Sequence, residues 1–374
     1  MKIEEVKKLN VKYNGKFVGY LAKLKNGSIA FQYDDKWTKN GFSISPISLP
    51  LSNKIYVNDK PTFNGLHGVF WDSLPDGWGE LLVRRMLNKH CISFDRLSPL
   101  QKLSIINKNG LGALEYEPNK SLDSATENYN LDEIAEEAEK ILNDETEDID
   151  LDTIYNLGGS SGGARPKAHI TYNDEEWIVK FPCAIDPKNI GEKEFFANQL
   201  AKKCDINVNE FKLFDSKICS GFFGAKRFDR TANKKLHMIS LSALLETTHR
   251  LPNLDYGHLF QVICKISADR ENDMYEAFRR MCFNVFYKNR DDHSKNFSFL
   301  YNENLKGYKL SPAYDITSLP NKPEHEMSVN LNGRPTESDL MQIAHDFGLS
   351  KKKCEEIILK IKNVLKEYNN MVNL

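Results

Sequence analysis

N-R-D-D-H-S-K-N, Asn289 to Asn296, is a run of eight polar residues set between two apolar segments. E-A-F-R-R-M-C-F-N-V-F-Y-K, with helical patterning, precedes it, and the strand-like F-S-F-L follows it. A polar loop strung between two buried elements is a favoured place for chemistry, because a rigid scaffold aims its side chains. The string holds what phosphoryl transfer needs: a carboxylate to orient a hydroxyl (Asp291), a cation for phosphate, and a metal-ligating amide five residues on (Asn296). Asn, Asp and Lys also favour plain surface turns, so the string decides nothing until its neighbours along the chain are added.

Downstream, L-S-P-A-Y-D-I-T-S carries Asp315, 24 residues after Asp291. A lone Asp in a Pro-containing loop is usually a turn former, but here it follows the strand that follows the Asp/Asn loop. One amide, one carboxylate and nucleotide phosphates would satisfy a hard Mg²⁺ ion, which wants oxygen ligands and keeps some of its waters. Upstream, W-I-V-K-F-P places Lys180 among apolar strand residues, where a charge is costly unless matched. Glu194 follows at the start of a helix pattern and is the natural partner for it. Further upstream stands G-G-S-S-G-G-A-R-P-K, Gly158 to Lys167. Its glycines let main-chain N–H groups approach phosphate, and Lys167 adds charge. It is neither a Walker A loop nor the usual kinase G-x-G-x-x-G, and alone it could be a mobile linker. The order is what decides: glycine loop, strand Lys, helix Glu, Asp/Asn loop and second Asp follow one another as in a kinase.

Around this frame the first hundred residues pattern as strands. Asn14-Gly15 and Asn26-Gly27 supply the positive φ angles of tight hairpin turns. In L-P-D-G-W-G-E-L-L-V-R-R-M-L, from Leu74, Pro75, Gly77 and Gly79 read as a turn, with a helix from Leu81. A glycine-containing segment from Asn109 then leads to a helix with Leu131, Ile134, Ala138, Ile141 and Leu142 as its apolar stripe. Strands at 168–172 and 177–181 flank an Asn173-Asp174 turn. A helix over 192–204 carries Phe195, Phe196, Leu200 and Ala201 on one side, and strands follow at 211–216 and 222–228. From Ser240 the pattern is mostly helical, with Thr336 and Ser350 as caps of the last two helices. A sheet-rich part followed by a helix-rich part indicates an α+β protein with two lobes.

Bulk properties narrow the class. At a prior of about 150 residues per domain, 374 residues suggest two or three domains. A net charge of -1 gives no global field for nucleic acid or an anionic membrane. Eleven acids against one Lys between Leu131 and Asp152 make that stretch -10. The remainder therefore carries +9, which suits phosphate handling elsewhere, and the acidic stretch reads as a solvated helix face and loop. Seven scattered cysteines without a C-x-x-C pair argue against a disulfide framework or a zinc site. No apolar run approaches the ~20 residues needed to span a bilayer, and M-K-I-E-E-V-K-K-L lacks a signal-peptide core. A cytoplasmic protein is expected.

The chain resembles the HipA-like serine/threonine kinase toxins of bacterial toxin–antitoxin systems. The resemblance spans nearly the whole length and rests on L-P-D-G-W-G at Leu74, L-G-A-L at Leu111, S-S-G-G-A-R-P-K at Ser160, K-R-F-D-R at Lys226, N-R-D-D-H-S-K-N at Asn289 and P-A-Y-D-I at Pro312. It implies a two-lobed, protein-kinase-like α+β fold: a β-rich subdomain over 1–110, an N-lobe with phosphate loop and hinge over 111–228, and a helical C-terminal lobe over 229–374. It implies ATP and Mg²⁺ as cofactors. Asp291 matches the catalytic Asp, and Asn296 and Asp315 match the Mg²⁺ ligands. ATP contacts fall on Gly162, Gly163, Ala164, Arg165, Lys167, Lys180, the hinge Lys226, Arg227 and Phe228, and His293, Ser294, Lys295, Asn296, Tyr314 and Asp315. Ser160, with Ser161 beside it, matches the serine that family members phosphorylate on themselves to switch the kinase off. The implied partners are a protein substrate (aminoacyl-tRNA synthetases serve in the family) and a small helix-turn-helix antitoxin, through which alone DNA is reached.

Two other functions fit parts of the chain. L-M-Q-I-A-H-D-F-G-L-S-K-K-K-C-E-E-I-I-L-K-I, from Leu340, has the form of a DNA-binding helix-turn-helix with Lys351, Lys352 and Lys353 for phosphates. Cys354 stands where an aliphatic residue is usual, and Glu355 and Glu356 would face the same polyanion. A kinase fold without activity, used as a binding module, is the other; the full set of polar parts argues against it.

Overall fold

The computed structural model describes residues 4–58, 60–106, 110–121, 130–144, 149–232 and 234–372. Asn109 and residues 145–148 of the acidic stretch lie outside them. The fold is α+β, and the chain divides into two compact units: Met1–Glu192, Phe211–Ile239 and Ala243–Thr247 form the first, and Lys193–Glu210, Ser240–Ser242 and Thr248–Leu374 the second.

The first unit holds two antiparallel sheets. One has the order Ile55–Val57, Ile29–Tyr33, Lys16–Lys23, Lys8–Tyr13, Leu114–Glu117. Its first hairpin closes on Asn14 and Gly15, both at positive φ (46° and 75°), as the two-residue turn requires. The other has the order Lys167–Tyr172, Glu175–Lys180, Phe222–Lys226, Phe211–Phe214. Its hairpin turns on Asn173 and Asp174, again both at positive φ. The helices Gly77–Lys89, Leu131–Leu142 and Leu151–Gly158 share with this second sheet a core that includes Trp78, Leu82, Ile141, Tyr155, Val179 and Phe222.

Two helical stripes differ from the sequence pattern. Leu142, the last residue of its helix, is exposed, and Ala135 is buried instead. Phe196 is likewise exposed, while Leu200 and Ala201 are buried. Each sits at the margin of its stripe, where the neighbouring element decides what is covered. A larger difference concerns residues 77–80. Gly77 and Gly79 lie in a helix that starts at Gly77 rather than in a turn before it.

The second unit is built on the helices Tyr256–Ile266, Arg270–Tyr287, Glu337–Asp346 and Lys351–Val372, with the hairpin Ser298–Asn302/Gly307–Leu310. Arg270–Tyr287 ends at Lys288 in the left-handed conformation (φ 59°), which turns the chain out of the helix and into loop 289–296. Thr336 caps Glu337–Asp346 through a reciprocal box with Asp339. Lys353 of the last helix places its ammonium 3.5 Å from the centre of the Tyr275 ring, and Cys354 is fully buried. All seven cysteines are unpaired thiols.

Candidate active site

In the first unit the glycine loop is held inward by L-P-D-G-W-G. The Gly163 N–H donates to the Asp76 carboxylate, the Trp78 N–H donates to the Gly163 carbonyl at 2.8 Å, and the Trp78 indole donates to the Lys167 carbonyl at 3.1 Å. Asp76 precedes the helix but makes no side-chain cap bond to it, so its carboxylate serves the loop. Gly77 and Gly79 are what the approach demands. A Cβ on Gly77 would stand 2.3 Å from the Gly163 carbonyl oxygen, and one on Gly79 2.2 Å from that of Ser161. This contact joins segments 87 residues apart, which is why the motif reads locally as a turn.

Ser160 and Ser161 are both buried. The Ser161 hydroxyl donates to the Gly158 carbonyl at 2.6 Å, whereas the Ser160 hydroxyl has no hydrogen-bond partner among the described residues. Beyond them Lys167 donates to the Gly162 carbonyl, and Arg165 pairs with Asp186 at 3.0 Å. Lys167 and Lys180 are directly opposed across antiparallel strands. Like charges at facing positions repel, and an anion between the glycine loop and these lysines would relieve the repulsion. The Lys180 ammonium lies 5.7 Å from the centre of the Phe223 ring.

At the end of Phe222–Lys226, Lys226 pairs with Glu175. Arg227 is buried, with its guanidinium on Asp229 at 2.8 and 3.0 Å and on the Gly110 carbonyl at 2.9 Å. Asp229 also takes Arg230 at 2.8 Å and the Gly112 N–H at 2.7 Å. Burial by itself raises the Asp229 carboxyl, but the two guanidinium groups outweigh it and hold the group well below the usual carboxylate range. The Arg227 side chain is thus committed to the fold.

In the second unit the two adjacent aspartates of loop 289–296 have opposite surroundings. Asp292 is 1 % exposed. It accepts from the Tyr256 hydroxyl at 2.8 Å and the Glu326 N–H at 3.0 Å, and His325 Nδ1 lies 2.8 Å from it. Tyr256 in turn accepts from Asn284 at 2.9 Å, and Asn284 accepts from Asn289 at 3.0 Å. Burial, reinforced by the Asp292 charge, pushes the Tyr256 hydroxyl far up, so it stays protonated and donates. Asp291, by contrast, keeps its side chain 41 % exposed and, among the described residues, its carboxylate takes only the Lys322 ammonium, at 3.1 Å. Of the two, Asp291 is the one an incoming hydroxyl can reach.

Asn296 is oriented by its own loop: its Nδ2 donates to the Asp291 carbonyl at 2.8 Å. His293 accepts from the Lys295 N–H at 3.2 Å, and Ser294 is buried. The Tyr314 hydroxyl donates to the Lys295 carbonyl at 2.5 Å and lies 2.6 Å from Ser298 Oγ. That bond brings the residue before Asp315 onto the residue before Asn296. Asp315 itself has φ 54°, a conformation that Asp tolerates better than most side chains. Glu194 is buried on Ile190–Lys203. The sequence alone pointed to neither Asp76, Tyr256, Lys322 nor His325. The last two sit 31 and 33 residues from the aspartates they touch.

Comparison with known proteins finds relatives along most of the chain. Residues 9–117 match the HipA N-terminal domain and 159–368 the HipA-like C-terminal domain. A Sinorhizobium fredii protein named "Putative kinase Y4mE" is 24 % identical over 383 residues, spanning 90 % of this chain and 83 % of its own length. A Haemophilus influenzae protein named "Putative kinase" is 27 % identical over 189 residues, 45 % of this chain and 54 % of its own. Among solved structures, the Shewanella oneidensis toxin–antitoxin complex of HipA, HipB and operator DNA contains a chain with the same fold. The match has a TM-score of 0.72 at 18 % identity and covers 97 % of this chain and 90 % of the other.

Proposed function

This chain belongs to the HipA-like family, and on that premise we propose that it is an ATP- and Mg²⁺-dependent serine/threonine protein kinase, the toxin of a bacterial toxin–antitoxin system acting in the cytoplasm. The observation that carries the proposal is the division of labour within loop 289–296: Asp292 is buried and fully bonded, and Asp291 beside it is open to a substrate hydroxyl.

Asp291 orients and deprotonates the hydroxyl, assistance typically worth ~10²–10⁴-fold in rate. Asn296 and Asp315 would hold Mg²⁺. One amide oxygen and one carboxylate fit an ion that takes its other ligands from water and nucleotide phosphates, and the bound ion supplies charge neutralisation on those phosphates. Gly162 to Lys167 bind phosphate through main chain and the Lys167 ammonium. Lys180 adds a second cation, and 226–228 takes the base. His293, Ser294, Lys295 and Tyr314 shape the metal loop. The division at residues 110 and 228 into subdomain, N-lobe and C-lobe belongs to the same proposal.

Ser160 is the self-phosphorylation site. Its hydroxyl is buried, so the loop must move outward before transfer. A dianionic phosphate there would then oppose return beside the phosphates of ATP. The partner is a small helix-turn-helix antitoxin, as HipB accompanies HipA in the Shewanella complex, with DNA bound only through it. The substrate is a protein, an aminoacyl-tRNA synthetase by family likeness. No helix among the described residues is long and apolar enough to cross a membrane. The test is transfer of γ-phosphate from labelled Mg-ATP to protein. Wild type labels itself or a second protein and Asp291→Ala labels neither; equal labelling by both overturns the proposal.

A further inference from the structure

The chain after Asp315 folds back along loop 289–296. Ser318 Oγ donates to the Tyr287 carbonyl at 3.0 Å, and the Leu319 N–H donates to the Lys288 carbonyl at 3.0 Å. Arg290 donates to the Pro320 carbonyl at 2.9 Å and also to that of Lys322. Beyond Lys322, His325 and the Glu326 N–H close on Asp292. The backbone on both sides of Lys322 is therefore fixed to the loop that carries Asp291, and the Arg290 bond fixes Lys322 itself. From that position its ammonium lies 3.1 Å from Asp291 Oδ1 and pairs with Glu326 as well.

We propose that Lys322 is a catalytic residue of the phosphoryl-transfer site. It holds one oxygen of Asp291 so that the other meets the substrate hydroxyl, and its ammonium contacts the phosphoryl group during transfer. This assignment rests on the kinase reading above. A hydroxyl on Asp291 sits about 2.6–3.2 Å from one carboxylate oxygen, and the ammonium stands 3.1 Å from the other, so hydroxyl and ammonium share one carboxylate. The hydroxyl oxygen forms the new P–O bond. The bridging P–O bond to the β-phosphate breaks, and its electron pair leaves with ADP. The hydroxyl proton passes to Asp291. Lys322 makes and breaks no bond and stays protonated: burial lowers its ammonium, but Glu326 and Asp291 outweigh that and hold it above its usual value. A fixed cation aimed at the transferring group acts chiefly on the transition state, where charge is spread over the equatorial oxygens.

The experiment compares wild type, Lys322→Met, Lys322→Arg and Asp291→Ala in steady-state transfer from Mg-ATP, with nucleotide affinity and urea midpoint measured on each full-length chain. Lys322→Met should lower kcat by ~10²-fold, with KM for ATP and the urea midpoint unchanged, and Lys322→Arg should recover part of the loss. Lys322→Met as active as wild type, or more active, overturns the assignment alone. The first outcome marks a passive ion pair, and the second a contact that blocks the substrate. A loss confined to KM, or one that tracks a lowered urea midpoint, overturns it too. Wild type without transfer overturns the kinase reading and this assignment together.

Discussion

Asp291 and Asp292 are neighbours of identical chemistry, and replacing each by Ala should damage the protein in different ways. Asp292→Ala removes a buried acceptor with three partners. The Tyr256 oxygen still accepts from Asn284, but the Tyr256 O–H, the His325 ring and the Glu326 N–H all lose their acceptor. At about 1–3 kcal/mol for each stranded group, the loss is roughly 3–5 kcal/mol, near the cost of removing one partner from a buried ion pair. Asp291→Ala loses only a half-exposed pair with Lys322, about 0–1 kcal/mol. With a urea dependence of about 3 kcal/mol per M, Asp292→Ala should lower the midpoint of the second unit by about 1–1.7 M, and Asp291→Ala by no more than about 0.3 M. Urea unfolding followed by circular dichroism measures both. Transfer activity should run the other way: Asp291→Ala is folded and inactive, while Asp292→Ala retains activity in proportion to the folded fraction at low temperature. Equal midpoint shifts, or an active Asp291→Ala, would refute the division of roles.

Three further outcomes are expected. Gly79→Ala should push the glycine loop off L-P-D-G-W-G, since its Cβ would meet the Ser161 carbonyl at 2.2 Å. Weakening of ATP binding by about tenfold, roughly 1.4 kcal/mol, is expected in titration calorimetry. His237 is wholly buried with Nε2 2.8 Å from the Ile44 carbonyl, and burial brings its pKa down to about 4. The unfolded chain binds that proton near pH 6.5 and the fold does not. His237 therefore costs nothing above pH 6.5, and stability falls by up to roughly 1.4 kcal/mol per unit as the pH drops from there towards 4; unfolding curves at pH 7.5, 5.5 and 4.5 should lose that slope in His237→Phe. Asp229→Asn leaves Arg227 and Arg230 buried without their carboxylate and should cost about 3–5 kcal/mol. Because the folded Asp229 titrates below the unfolded value of about 3.9, this difference from wild type should be constant above pH 5 and shrink only as the pH falls below about 4.

The site was legible wherever its parts lie close in sequence. Loop 289–296 spans only eight residues between two apolar elements, and the hairpins announced themselves through Asn14-Gly15 and Asn173-Asp174, residue types that tolerate the positive φ these turns need. What stayed hidden depends on distant pairing. L-P-D-G-W-G reads as a turn because its true partner, the Gly163 amide, comes 87 residues later. D-D offers two equivalent carboxylates until His325 and Tyr256 bury one of them. Lys322, in a polar N-K-P-E-H-E string, carries no local mark of its place on Asp291. Leu142 and Phe196 fall on the apolar stripes of their helices yet are exposed, because periodicity gives a direction, not the width of the neighbouring element.

Site-resolved mass spectrometry of the full-length chain tests the kinase claim most directly. The chain is first treated with phosphatase and then incubated with Mg-ATP. One phosphate on Ser160 in wild type, and none in Asp291→Ala, is the predicted result. Ser160 left bare in wild type while ATP is bound, or phosphorylated equally in both chains, would contradict it.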